Sequence, residues 1–256
     1  MSVAFLGMML ALWVLGAIVA SFIGVLVTRG IAGAKLSAGR SKCDSCSRTL
    51  KWYELIPVIS WMVTLGRCRG CKSRVTYEYS IAEALLGALF VAAYSVHVAT
   101  APFLLLLVAF SLLVYLVWFD LKHLTVPLEA SSALIVTATV YAFLVSTPVT
   151  FGATLLLAAL CAGFFLAIHI FTKGRAMGIG DVPVTFALSL LVGTLSVSAL
   201  VLSFWIGAVC SIVLLAIQKL PKGVKTEVPF VPFLALGYGI VFFSHIQLMN
   251  VSGLLW

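Results

Sequence analysis

The stretch VAFLGMMLALWVLGAIVASFIGVLVT, residues 3–28, is an apolar run without a charged residue, and it stops at Arg29. About 20 such residues suffice to carry a helix across the hydrocarbon core of a bilayer. The run could be a secretory leader, with small residues at Ala17 and Ala20. However, no basic residue precedes it, it is long for a leader's apolar core, and a basic segment follows, so it reads as a retained membrane helix. Similar runs recur at residues 79–99, 101–119, 128–146, 150–171 and 229–246, and residues 182–218 read as a tight hairpin of two legs turning near Gly193 or Ser196. The expected fold is an all-α polytopic membrane protein of about eight transmembrane helices. The chain is 63% hydrophobic and 9% charged over 256 residues, which excludes a soluble domain.

Charge placement tests this count. Of 16 Lys and Arg, ten fall between Arg29 and Arg74. The rest are Lys122, Lys173, Arg175, Lys219, Lys222 and Lys225. With eight spans all of them lie on one face, which the positive-inside rule makes cytoplasmic, with both termini outside. Topology therefore accounts for the net charge of +8, and nucleic acid is not an expected partner. Three regions follow: a first transmembrane helix at 1–28, a cytoplasmic loop at 29–78, and a transmembrane region at 79–256.

The loop carries Cys43-x-x-Cys46 and Cys68-x-x-Cys71. Two such knuckles suit one tetrahedral zinc ion, and basic neighbours (Lys42, Arg48, Arg67, Arg69, Lys72) favour thiolates. A reducing cytoplasmic face argues against disulfides. A four-cysteine site has no open coordination position, so a structural, zinc-ribbon-like role is expected. Cys161 and Cys210, single within helices, read as packing residues.

Two aspartates stand where apolar segments meet short basic ones: Asp120 in FDLKHLTVP (119–127) and Asp181 in MGIGDV (177–182). A carboxylate at the edge of a membrane helix is costly and marks a functional site. Two of them suggest an aspartyl protease dyad, in which one carboxylate activates water and the other, protonated, donates to the scissile carbonyl. The competing reading pairs Asp120 with Lys122 or His123 and makes Asp181 the cap of a helix beginning at Val182. On the residues alone both stand. Gly178 and Gly180 would let backbone and extended substrate approach Asp181, and Pro127 would break the chain before the next span. A leg ending at Gly193 would be about 18 Å long, recessing Asp181 below the membrane surface. Glu83, one turn into the second span, lines a cavity, binds a substrate amine or makes an interhelical pair. His97, His169 and His245 read as packing or interfacial residues. Asp44, Glu54, Glu78, Glu129 and Glu227 read as solvated or paired with basic neighbours.

Together these elements resemble the type IV prepilin peptidases, bacterial inner-membrane aspartyl proteases of the GxGD type. The resemblance rests on Ala20-Ser21-Phe22, the four cysteines, Ile56-Pro57-Val58-Ile59-Ser60-Trp61, Glu83, the Asp120 stretch, Gly178-Ile179-Gly180-Asp181 and Pro229-Phe230-Val231-Pro232. It implies that Asp120 and Asp181 are the catalytic pair, supported by Gly178, Gly180 and Glu83. The implied substrates are type IV prepilins or type II secretion pseudopilins, cut after a glycine on the cytoplasmic face. It also implies possible N-methylation of the new terminus with S-adenosylmethionine, associated with the cysteine loop. The chain departs from the family at Gly24, Glu54-Leu55 and Glu78-Tyr79-Ser80, departures that surround the loop and the second span and bear on methylation more than on proteolysis. A presenilin-like or signal-peptide-peptidase-like protease shares GxGD, but Phe119 before Asp120 and Pro232-Phe233-Leu234 differ from its motifs. A transporter or zinc-stabilised membrane scaffold is the non-enzymatic alternative.

Overall fold

The computed structural model describes residues 3–29, 41–43, 45–96, 100–175, 177–218 and 228–248. Lys35, Arg40, Asp44, His97, Lys219, Lys222, Lys225 and Glu227, named or counted above, lie outside them. Among the described residues the chain is helical, without a named strand: α1 (Val3–Arg29), α2 (Ile59–Thr64), α3 (Glu78–Val96), α4 (Ala101–His123), α5 (Leu128–Val145), α6 (Pro148–Phe171), α7 (Asp181–Val192), α8 (Ser196–Gln218) and α9 (Val231–Ser244). All but α2 correspond to the eight apolar segments read from the sequence. Among the described residues six stretches are long and apolar enough to cross a membrane, Asp181–Val213 counting as one, while α9 is shorter.

The chain forms two compact units, Met1–Tyr115 and Leu116–Trp256. In the first, α1 crosses α3 backbone to backbone. A Cβ on Gly16 would fall 2.7 Å from the Leu86 carbonyl oxygen, and one on Gly87 would fall 2.7 Å from that of Trp13. Small residues permit this approach, and in a bilayer such packing holds helices together. Ala17, Ala20, Leu86 and Phe90 are buried around the crossing.

In the second unit α7 is packed by α5, α6 and α9, and most of its 12 residues are buried. The hairpin expected near Gly193 is present: Gly193 has φ +71° and ψ −134°, a conformation open to glycine, and a 3-10 turn over Gly193–Leu195 leads into α8. At 12 residues α7 is about 18 Å long. α8 meets α9 where Gly237 lies on the Ser203 backbone. The Ser189 hydroxyl bonds to the Tyr238 hydroxyl at 2.9 Å in the interior, tying α7 to α9. α6 starts on a Thr147–Thr150 capping box with Pro148 in its first turn.

Candidate active site and cysteine cluster

Helix α4 runs four residues beyond the segment read from sequence, so Asp120 sits within its last helical turn and not beyond its end. The chain turns at Leu124 (φ +53°) and restarts at Pro127, the N-cap of α5. Asp120 is 5% exposed, and its Oδ2 accepts a hydrogen bond from the Val231 N–H at 3.1 Å. Val231 is the first residue of α9, whose N-terminal N–H groups have no partner within the helix. Pro232, which has no N–H, follows it. The Asp120 carboxylate thus rests against the positive end of α9.

Asp181 is 7% exposed and is the first residue of α7. The N-cap is Gly180, with no side-chain cap bond, so the reading of Asp181 as a conventional cap does not hold. The turn before it closes through Asp181 N–H to Gly178 O and Val182 N–H to Ile179 O, each 3.3 Å, and the Gly178 N–H is directed at the Asp181 carboxylate. The charge on Asp120 acts directly on Asp181. The second unit therefore brings together two buried carboxylates about sixty residues apart in sequence.

The glycines have distinct jobs. A Cβ on Gly180 would lie 2.6 Å from Val126 Cβ and 2.9 Å from its Cγ2. The Asp120 stretch packs on Gly180 closely enough to leave no room there for a side chain. A Cβ on Gly178 would meet Asp181 Oδ2 at 3.5 Å, an ordinary contact. His169, expected to be a packing residue, donates from Nδ1 to the Met177 carbonyl at 2.9 Å, which fixes the loop immediately before Gly178. Val126, Val231 and His169 went unrecognised in the sequence as parts of the site. Pro232 held the one available signal, since a proline in a helix's first turn marks an unpartnered N–H beside it.

The first unit holds Cys43, Cys46, Cys68 and Cys71. The four sulfur atoms lie within 4.8 Å of one another, with Cys43 Sγ 3.8 Å from Cys71 Sγ. Tetrahedral coordination at about 2.3 Å per Zn–S bond sets sulfurs about 3.8 Å apart, so the cluster fits such an ion. The two knuckles repeat one geometry 25 residues apart. Ser47 N–H bonds Cys43 O at 2.8 Å and Lys72 N–H bonds Cys68 O at 3.0 Å. Ser47 and Lys72 both have positive φ, and the bridges Lys42–Thr49 and Arg67–Arg74 close the turns. The N–H groups of Cys71 and Gly70 draw the Cys68 thiol down to about 6. At Cys46 the Arg48 N–H pulls the same way, but the Cys71 sulfur, burial and the other two sulfurs push it up to about 11. Four thiolates so close together repel one another, and a bound cation removes that conflict.

Behind the cluster Arg48 forks onto Glu54, with Nη1–Oε2 at 3.1 Å and Nη2–Oε1 at 2.7 Å. Glu54 Oε2 also accepts from Lys51 N–H at 2.8 Å. The Arg48 fork, with the Lys51 N–H, holds the Glu54 carboxyl below the ordinary carboxylate value.

Glu83 belongs to the first unit and is buried. Its Oε2 accepts the Val58 N–H at 2.7 Å, and its carboxylate also engages the Ser21 side chain. Val58 is held at φ +60° and ψ −53°, a costly geometry for a β-branched residue. Glu83 is thus a backbone anchor for the Ile56–Pro57–Val58 turn. It also lines a cleft of about 320 Å³ with Glu54, Arg67, Arg69, Trp61 and Tyr79.

Comparison with known proteins gives a consistent picture. Residues 14–97 match the family model of the bacterial peptidase A24 N-terminal domain, and residues 107–216 match that of the type IV leader peptidase family. A prepilin leader peptidase/N-methyltransferase of Myxococcus xanthus is 39% identical over 118 residues, covering 46% of this chain and 35% of that protein. A type 4 prepilin-like proteins leader peptide-processing enzyme of Escherichia coli is 29% identical over 206 residues, 79% of this chain and 74% of that protein. A prepilin leader peptidase/N-methyltransferase of Bacillus subtilis is 29% identical over 235 residues, 90% of this chain and 92% of that protein. No solved structure matches.

Proposed function

We propose that this chain, which belongs to the type IV leader peptidase family, is an aspartic endopeptidase that removes the short basic leader of type IV prepilins or pseudopilins at the cytoplasmic face of the bacterial inner membrane. One observation carries the reading: two buried carboxylates in one unit, each seated at a helix N-terminus and each within the other's electrostatic reach. Asp120 and Asp181 are the catalytic pair. They share one proton, so the ionised member takes a proton from the attacking water while the protonated member donates to the scissile carbonyl oxygen. Roles are assigned to the pair, because two coupled carboxyls titrate together. The Val231 N–H orients Asp120, and the Gly178 N–H orients Asp181. Burial keeps bulk water from competing for either carboxylate.

Cys43, Cys46, Cys68 and Cys71 hold a structural zinc ion, which staples the segment between α1 and α3. A second activity, N-methylation of the new terminus, draws on the first unit's cleft, whose volume falls in the range of small-ligand sites. S-adenosylmethionine supplies the methyl group, and Glu83 and Glu54 are the acidic groups that face the cleft. Charge placement supports the cytoplasmic orientation.

The test is a processing assay in liposomes with a prepilin whose leader ends in glycine, comparing wild type, Asp120→Asn and Asp181→Asn. The expected result is loss of cleavage in both variants. Mass measurement of the new terminus with S-adenosylmethionine present reads the second activity as a gain of one methylene. Cleavage surviving either substitution refutes the dyad.

A further inference from the structure

In the first unit, helix α2 is six residues long and amphipathic in a way the peptidase site does not use. Ile59, Met62 and Val63, at spacings of three and four residues, share one face and are exposed, Met62 at 62%. Leu65, which ends the helix in the left-handed conformation at φ +51°, is 82% exposed. The opposite face is engaged: Ser60, Trp61 and Thr64 line the cleft, and the Trp61 indole N–H donates to the Val75 carbonyl at 3.1 Å. The apolar side of α2 therefore faces outward by construction, since turning it inward would cost the indole its acceptor and the cleft its polar wall.

The height of α2 on the unit is fixed by its first turn. Val58, its N-cap, is bonded to Glu83, which lies five residues into α3, about 7.5 Å along the axis. Beside Glu83, Ile81 and Leu85 are exposed on α3, and Ile18 and Phe22 are exposed on α1. Those helices cross the bilayer, so α2 begins level with side chains that meet lipid. Immediately after it come Arg67, Arg69, Lys72 and Arg74, all exposed. An apolar helical face continuous with a lipid-facing belt and edged by cations is the pattern of an interfacial anchor on an anionic leaflet.

We infer that α2 lies in the headgroup–acyl boundary, inserting Ile59, Met62, Val63 and Leu65 into the bilayer that surrounds α1 and α3 while the flanking cations contact anionic headgroups. The anchor ties the cysteine knuckles and the cleft to the membrane surface at a fixed height. The apolar stem of a protein substrate is the competing occupant of this face.

The test uses the full metal-loaded chain in liposomes of phosphatidylethanolamine and phosphatidylglycerol. Hydroxyl radicals generated in the water oxidise accessible methionine, and a lipid-dissolved carbene label marks residues in contact with acyl chains. A synthetic peptide of residues 59–65, free in solution, gives the unprotected oxidation rate. The expected result is oxidation of Met62 about tenfold slower than in the peptide, with carbene adducts on residues 59–65 and no substrate present. In the Met62→Gln/Val63→Gln double variant the adducts should fall. Met62 oxidation at close to the peptide rate without adducts overturns the inference. So does protection that appears only when prepilin is added, which assigns the face to the substrate. Cleavage activity is not a readout here, so failure of this inference is distinct from failure of the peptidase reading.

Discussion

Replacing Gly180 by alanine tests why the glycine before Asp181 is there. Gly180 has φ −66° and ψ −23°, which alanine adopts freely, so no backbone strain is introduced. The added methyl would stand 2.6 Å from Val126 Cβ and 2.9 Å from Cγ2. Carbon atoms settle at about 3.5–4.0 Å, so one of the two loops must retreat by about 1 Å. Both loops are attached to one of the two buried carboxylates proposed as the catalytic pair: Val126 lies six residues after Asp120, and Gly180 adjoins Asp181. Overpacking of this kind costs about 1–3 kcal/mol, and a displacement of about 1 Å at a catalytic group can lower the rate about 100-fold. Gly180→Ala should therefore lower prepilin cleavage by about that factor in liposomes while the protein remains folded. The decisive comparison adds Val126→Gly, which removes the side chain the methyl would strike. Val126→Gly alone should cost about tenfold through a loosened loop, and Gly180→Ala added to it should cost less than about threefold more. A coupling of about 2 kcal/mol is then expected between the two positions. If Gly180→Ala is equally harmful in the Val126→Gly background, the methyl is obstructing substrate and not Val126, and the packing argument is wrong.

Gly178→Ala should be milder, because its methyl would make only an ordinary 3.5 Å contact with Asp181 Oδ2; a loss as deep as that of Gly180→Ala in the same assay would contradict this. His169→Ala deletes the hydrogen bond to Met177 O, worth about 1 kcal/mol, so kcat should fall about fivefold with KM little changed, and His169→Gln, which retains a donor, should recover part of it. Metal analysis of the pure chain should find one zinc per chain, and Cys68→Ser or a chelator should expose residues 41–77 to protease. Glu54 has its folded-state pKa depressed by Arg48, so its contribution is present above the ordinary carboxylate value and is lost as pH falls through the folded one. The protease resistance that wild type holds over Glu54→Gln should accordingly be clear at neutral pH and vanish in strong acid; an advantage that persists there would mean packing and not charge.

Periodicity and composition made the membrane helices legible because a bilayer permits few alternatives: a long uncharged run has to be a helix. The knuckles were legible for a similar reason, since four sulfurs at that spacing suit one kind of site. Hydropathy falls at Asp120 and so ends the apolar run at Phe119, although the α4 backbone continues to His123. Hydropathy marks where solvent begins, not where hydrogen bonding stops. Glu83 was visible as an oddity, but its partner was a main-chain N–H at Val58, and no residue type at position 58 announces that it will donate. Val126 was hidden for a different reason. A valine before a proline in a loop looks like filler until the chain that passes in front of it is known.

The mounting of the carboxylates follows from these same elements. Each lies at the start of a helix that contributes nothing else charged: Asp181 opens α7, and Asp120 abuts the first N–H of α9. The hydroxyl pair Ser189–Tyr238 ties those helices together further along. The Val126–Gly180 contact links the loop after α4 to the loop before α7. Two links of different chemistry, set apart along α7, hold its N-terminus against both tilt and slide. A short helix suits this mounting, because about 18 Å ending at a glycine break leaves no long lever by which motion at α8 could displace Asp181.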